Sequence, residues 1–82
     1  MNITHNTIAL QKTLRKEGHI TLRPAPRKNQ HPLETIEYKG FTLTQLTAGF
    51  TPIYTLQDSN GTEMCKGPWY TCTEELYKTL NT

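Results

Sequence analysis

Between Thr35 and Lys66 the residues are almost all strand and turn formers, and this stretch restricts the possible fold more than any other. Thr35–Tyr38 and Phe41–Leu46 flank Lys39-Gly40, with Phe41 and Leu43 on one face and Thr42 and Thr44 on the other. Phe50–Gln57 repeats the alternation, with Tyr54 and Leu56 sharing a side. Asp58-Ser59-Asn60-Gly61 then makes a strong turn before Thr62–Lys66. An antiparallel sheet is expected, with Asp58 to Gly61 closing a hairpin.

The flanking segments read differently. Ile3, Thr7, Leu10 and Leu14 recur at helical spacing, with Asn6 or Thr4 as a start and Gly18 as a stop, so a helix is expected near 5–17. His19-Ile20-Thr21-Leu22-Arg23 alternates as a short strand with Ile20 and Leu22 facing in. A basic loop follows at 23–33, where Pro24, Pro26 and Pro32 prevent a ladder or a helix. At the C-terminal end Thr71-Cys72-Thr73-Glu74 matches a capping box, and Leu76 and Leu80 form one apolar face of a short helix over 73–80.

The expected architecture is therefore α+β: an N-terminal helix, a three- to four-stranded antiparallel sheet, and a short C-terminal helix packed on one sheet face. Residues 1–82 read as a single small domain. Its predicted core is Ile8, Leu10, Leu14, Ile20, Leu22, Phe41, Leu43, Tyr54, Leu56, Met64, Trp69, Leu76 and Leu80. Only 34% of the residues are hydrophobic, which is lean for so short a chain, so pairing with a partner or a second copy is an expected source of stability. No apolar run approaches the ~20 residues of a membrane span, and the first 18 residues lack the apolar stretch of a signal peptide. With only Cys65 and Cys72, reduced thiols and a cytoplasmic setting are expected.

Charge is unevenly spread. Met1–Gly40 carries seven Lys and Arg against three Glu, whereas the remainder carries two Lys against four acids. Such polarity steers binding toward nucleic acid or an acidic protein surface. Lys12, Arg15 and Lys16 are expected on a solvent face of the first helix, and Arg23, Arg27 and Lys28 on the Pro-rich loop. Trp69 and Tyr70 form an aromatic pair suited to a binding hot spot. These eight residues are the candidate partner-binding set.

No catalytic or metal-ligating set emerges. Ser59 is the single serine and lies in a turn, His5, His19 and His31 are isolated, and Cys65 and Cys72 are separated by six intervening residues, outside zinc-knuckle spacing. The glycines form no phosphate-binding fingerprint. The expectation is a protein that is not an enzyme and takes no cofactor or metal.

Strands 35–66 followed by a helix resemble the arm-binding domains of phage integrases. The outward set here, Thr42, Thr44, Ile53 and Thr55, offers no Arg or Lys to a DNA groove, which argues against that use of the sheet. Tyr38-Lys39-Gly40-Phe41-Thr42-Leu43, Tyr54 to Gly61 and Thr73-Glu74-Glu75-Leu76 together resemble the strand, hairpin and capped-helix pattern of small phage and mobile-element accessory proteins. That resemblance covers the C-terminal half and carries over no functional residue. It implies a compact inhibitor of the anti-CRISPR type, bound to a host protein or nucleoprotein complex in the host cytoplasm. Nucleic-acid binding through the basic half is the alternative, and a homodimer is compatible with either.

Overall fold

The computed structural model describes residues 3–25 and 31–81. Helix α1 (Ile3–Glu17) leads into strands β1 (His19–Arg23), β2 (Leu33–Tyr38), β3 (Phe41–Gln45), β4 (Ile53–Gln57) and β5 (Glu63–Pro68), and helix α2 (Trp69–Leu80) closes the chain. The strands form one sheet in the order β1-β2-β3-β4-β5, every neighbouring pair antiparallel. The α+β class and both helices match the expectation. The sheet has five strands rather than three or four, because His19–Arg23 joins it by pairing with Leu33–Glu37.

Turn chemistry sets the register. Lys39 and Gly40 both adopt positive φ (49° and 85°), as a mirror-image two-residue hairpin turn demands, and Tyr38 pairs with Phe41 across it. In the β4–β5 turn Asp58 Oδ1 accepts from the backbone N–H groups of Asn60 (2.9 Å) and Thr62 (3.0 Å). Gly61 supplies the left-handed residue there. A bulge between Leu56 and Gln57 then shifts the register toward Glu63.

Pairing aligns Ile36, Leu43, Leu56 and Cys65 in one row, and both helices lie over this face. Leu14, Ile36, Leu43, Leu56 and Leu76 are fully buried here, each stabilising by roughly 1.5–3 kcal/mol. The helices are joined by Asn6 Nδ2 donating to the Tyr77 hydroxyl (2.9 Å) and Gln11 Nε2 to Thr73 Oγ1 (3.0 Å).

The opposite face aligns Thr21, Thr35, Thr44, Thr55 and Lys66 in register. Lys66 thus corrects the expectation that this face carries no cation.

Three predicted core residues are not core. Ile8 is 43%, Ile20 36% and Leu22 66% exposed. Ile20 and Leu22 do alternate toward the helix-bearing side, but α1 packs on α2 and β2 and leaves β1 uncovered. Leu33, Ile36 and Cys72 are buried in their place. The capping box is not used either, since α2 begins two residues before it with Pro68 at the N-cap and no side-chain cap. Thr73 is buried one turn into the helix, its hydroxyl within reach of the Trp69 (2.9 Å) and Tyr70 (3.0 Å) carbonyls. Pro is well suited to a helix start because it fixes φ and has no N–H to satisfy.

Candidate functional site

The last turns of α1 and the first turn of α2 meet at one end of the sheet, where a cation, a carboxylate and two aromatic rings interlock. Arg15 Nη1 lies 2.5 Å from Glu34 Oε2 on β2. The Tyr54 hydroxyl on β4 donates to Glu34 Oε1 at 2.7 Å. The Arg15 guanidinium lies 4.8 Å from the Trp69 ring centroid, and Trp69 contacts the Tyr54 ring at 4.9 Å with a 51° tilt. A stacked guanidinium keeps its hydrogen-bonding edge available while one face is desolvated by the ring. Arg15 remains 47% exposed at its side chain, against 14% for Glu34.

The electrostatics follow this geometry. Burial disfavours ionisation of Glu34, yet the hydrogen bonds from Arg15 and Tyr54 outweigh it and hold the carboxyl below its ordinary value of 4.5. Tyr54 is pushed up to about 12 by burial and by the hydrogen bond to the Glu34 carboxylate. Arg15 is raised from its ordinary value, chiefly by its hydrogen bond to Glu34. All three groups therefore keep one charge state across neutral pH.

Around this cluster lies a mixed apolar and basic rim. Ile8, Lys12 and Arg15 follow one stripe of α1 at i, i+4 and i+7, and Ile8, Lys12 and Lys16 are all exposed. Tyr70, next to Trp69, is 36% exposed. The structure thus brings five of the eight candidate residues, Lys12, Arg15, Lys16, Trp69 and Tyr70, to one end of the molecule. Arg23 is not among them. It ends β1, and its Nη2 donates across β2 to the Gln45 backbone carbonyl, which keeps the side chain on the sheet. Arg27 and Lys28 lie outside the described residues.

Sequence reading missed Glu34 and Tyr54 as parts of the site. The signal was present in the parity of β2: Glu34, Ile36 and Tyr38 alternate onto the helix-bearing face, and a carboxylate there requires a cation. Two further features lie elsewhere. An open cavity of about 300 Å³ beside the Lys39-Gly40 turn is lined by His19, Glu37, Lys39 and Thr42 among others. Its nearest lining residue on β2, Glu37, is separated from Glu34 by about 10 Å along the strand.

Cys72 is fully buried on α2, its Sγ donating to the carbonyls of Tyr54 (3.3 Å) and Gly67 (3.6 Å). Burial and the neighbouring Cys65 push its thiol up to about 12, so no useful thiolate exists at neutral pH. Both cysteines are free, and Cys65 is half-buried. In a titration with a coloured disulfide reagent, Cys65 is expected to react at least tenfold faster than Cys72. A Cys72→Ser variant that loses the fast phase would contradict this order.

Among the described residues no three His, Cys, Asp or Glu side chains converge as metal ligands do, and no helix is long and apolar enough to cross a membrane. No protein-family model matches the chain, and no curated protein or solved structure is similar to it at a significant level.

Proposed function

We propose that this chain acts by docking, as an interaction protein that binds and blocks a protein or nucleoprotein partner through the end where α1 meets α2. The observation that carries this reading is Arg15 stacked on Trp69, with exposed Lys12 and Lys16 beside it and Tyr70 next to the ring. Arginine, tryptophan and tyrosine dominate interface energetics because they combine large apolar area with directional polar groups. Here the surrounding network already orders Arg15, which lowers the entropy cost of engaging it. The perturbed groups also favour docking over catalysis. Cys72 and Tyr54 are moved up and Glu34 down, away from the neutral range in which acid–base or nucleophilic groups work. Inhibition of a host nucleoprotein complex, of the anti-CRISPR type, is the form of docking this reading favours.

Cations beside an aromatic pair are also the elements of a single-strand nucleic-acid platform, which gives the second reading. One experiment separates them. Tagged protein is recovered from host lysate with and without nuclease, alongside a Lys12→Glu/Lys16→Glu/Tyr70→Ala variant. All three positions are exposed, so the fold should be retained. A nuclease-resistant protein at near-stoichiometric yield, reduced at least tenfold in the variant, is the expected result. Nucleic acid alone, bound with affinity that falls steeply with salt, would replace docking by the second reading.

A further inference from the structure

We propose that this chain pairs with a second copy of itself through the free edge of β1, joining two five-stranded sheets into one. This association is independent of the docking end described above.

The starting observation is an edge without the usual protection. Among the described residues β1 pairs with β2 alone, and all five of its residues are exposed. Its outer flank therefore presents a row of backbone N–H and C=O groups, the pattern that templates addition of another strand. Natural edges are blunted by outward charges, bulges or prolines. The centre of this strand, Ile20-Thr21-Leu22, has none of these, and Pro24 comes only after the strand has ended. The one permanent cation of the strand, Arg23, is drawn back over its own sheet to the Gln45 carbonyl, so it does not guard the edge.

The second observation is apolar. Ile20 and Leu22 alternate onto the helix-bearing side, yet α1 packs on β2 and α2 and leaves both exposed, at 36% and 66%. A strand added to this edge extends the sheet beneath that uncovered strip. Its own inward residues then lie beside Ile20 and Leu22.

A second copy supplies what the edge needs. In a two-fold antiparallel pairing centred on Thr21, Ile20 of one copy lies opposite Leu22 of the other, and the exchange occurs twice by symmetry. Thr21 meets Thr21 on the opposite face, where threonine pairs are favourable. His19 comes opposite the backbone of Arg23, whose guanidinium is held away on its own sheet. Charge thus poses no obstacle to the symmetric register. The contact is small, below the ~1,200 Å² of a stable complex, which places the association at the weak end.

Sedimentation velocity of the intact chain from about 10 μM to about 1 mM tests the proposal, with hydrogen exchange read at both ends of the range. The weight-average mass is expected to rise from 9.4 kDa toward twice that value, with amide protection increasing only at His19–Arg23. Leu22→Glu is expected to hold the mass at 9.4 kDa throughout. Because Leu22 is exposed, its circular dichroism should match the parent, and Ile20→Pro, which removes an N–H on the free edge, should act in the same direction. A parent chain that stays at 9.4 kDa, a dimer that persists in Leu22→Glu, or protection gained on another element would each overturn the proposal. So would a β1 edge that takes up a strand of a different protein while the chain itself remains monomeric.

Discussion

Replacing Gly18 with alanine is expected to lower stability by about 3 kcal/mol, at the upper end of what overpacking costs. A Cβ at this position would lie 2.5 Å from the Leu14 carbonyl oxygen and 2.7 Å from Cγ2 of Ile36. Neither neighbour can give way cheaply. The Leu14 carbonyl accepts the Gly18 N–H (3.0 Å) that closes α1, and moving it opens the last helical turn. Ile36 is fully buried at the centre of the core, so its methyl group has no free space to enter. Urea unfolding is the measurement, with the midpoint falling and the slope unchanged. For a small domain with ~5 kcal/mol in hand, the loss removes more than half of the margin. A midpoint equal to or above the parent's would show that the α1–β1 corner relaxes freely and that the close approach is not a constraint.

Replacing Glu34 with glutamine is the second large effect, about 2 kcal/mol at neutral pH. The carboxylate accepts from both Arg15 and Tyr54, so the change removes the charge opposite Arg15 and weakens the support of Tyr54. Arg15 is nearly half exposed, so water recovers part of its loss, and the figure stays below that of a deeply buried pair. The pH dependence identifies the cause. Glu34 titrates below 4.5 in the folded protein, so its contribution is complete above that value and is lost as pH falls through the lowered folded value. The stability difference between parent and Glu34→Gln should therefore close in acid. Tyr54 acts on the other limb. Its pKa is raised from 10.0 to about 12, so the neutral hydroxyl contributes fully below 10 and its contribution is lost as pH rises toward 12. A Tyr54→Phe variant should show less alkaline loss than the parent. A parent–Glu34→Gln difference that is constant from pH 7 to about 3 would separate the effect from carboxylate ionisation.

The same glutamate shows how far the site was legible. Lys12, Arg15, Lys16, Trp69 and Tyr70 were identifiable as types of residue that make contacts, but 54 positions separate Arg15 from Trp69. Their stacking exists only because α2 returns beside α1 over the sheet. Arg23 shows the converse. Its place beside the basic Pro-rich loop suggested a partner-binding cation, whereas pairing with β2 brings the guanidinium to a carbonyl two strands away.

Local chemistry was sufficient where a few neighbouring residues decide the backbone. Lys39-Gly40 and Asp58 to Gly61 specify their hairpins through positive φ and side-chain-to-backbone hydrogen bonds, and the helical spacing of Leu10 and Leu14 specifies α1. Those features follow from sequence alone because the interacting atoms lie within a few residues of one another. The joining of His19–Arg23 to the sheet as a fifth member, the exposure of Ile8, Ile20 and Leu22, and the unused capping box were decided by tertiary structure. Alternation tells which way a side chain points, but burial requires an opposing element. The two helices cover β2 to β5 and stop short of β1, so the same pattern that buries Ile36 leaves Leu22 in water.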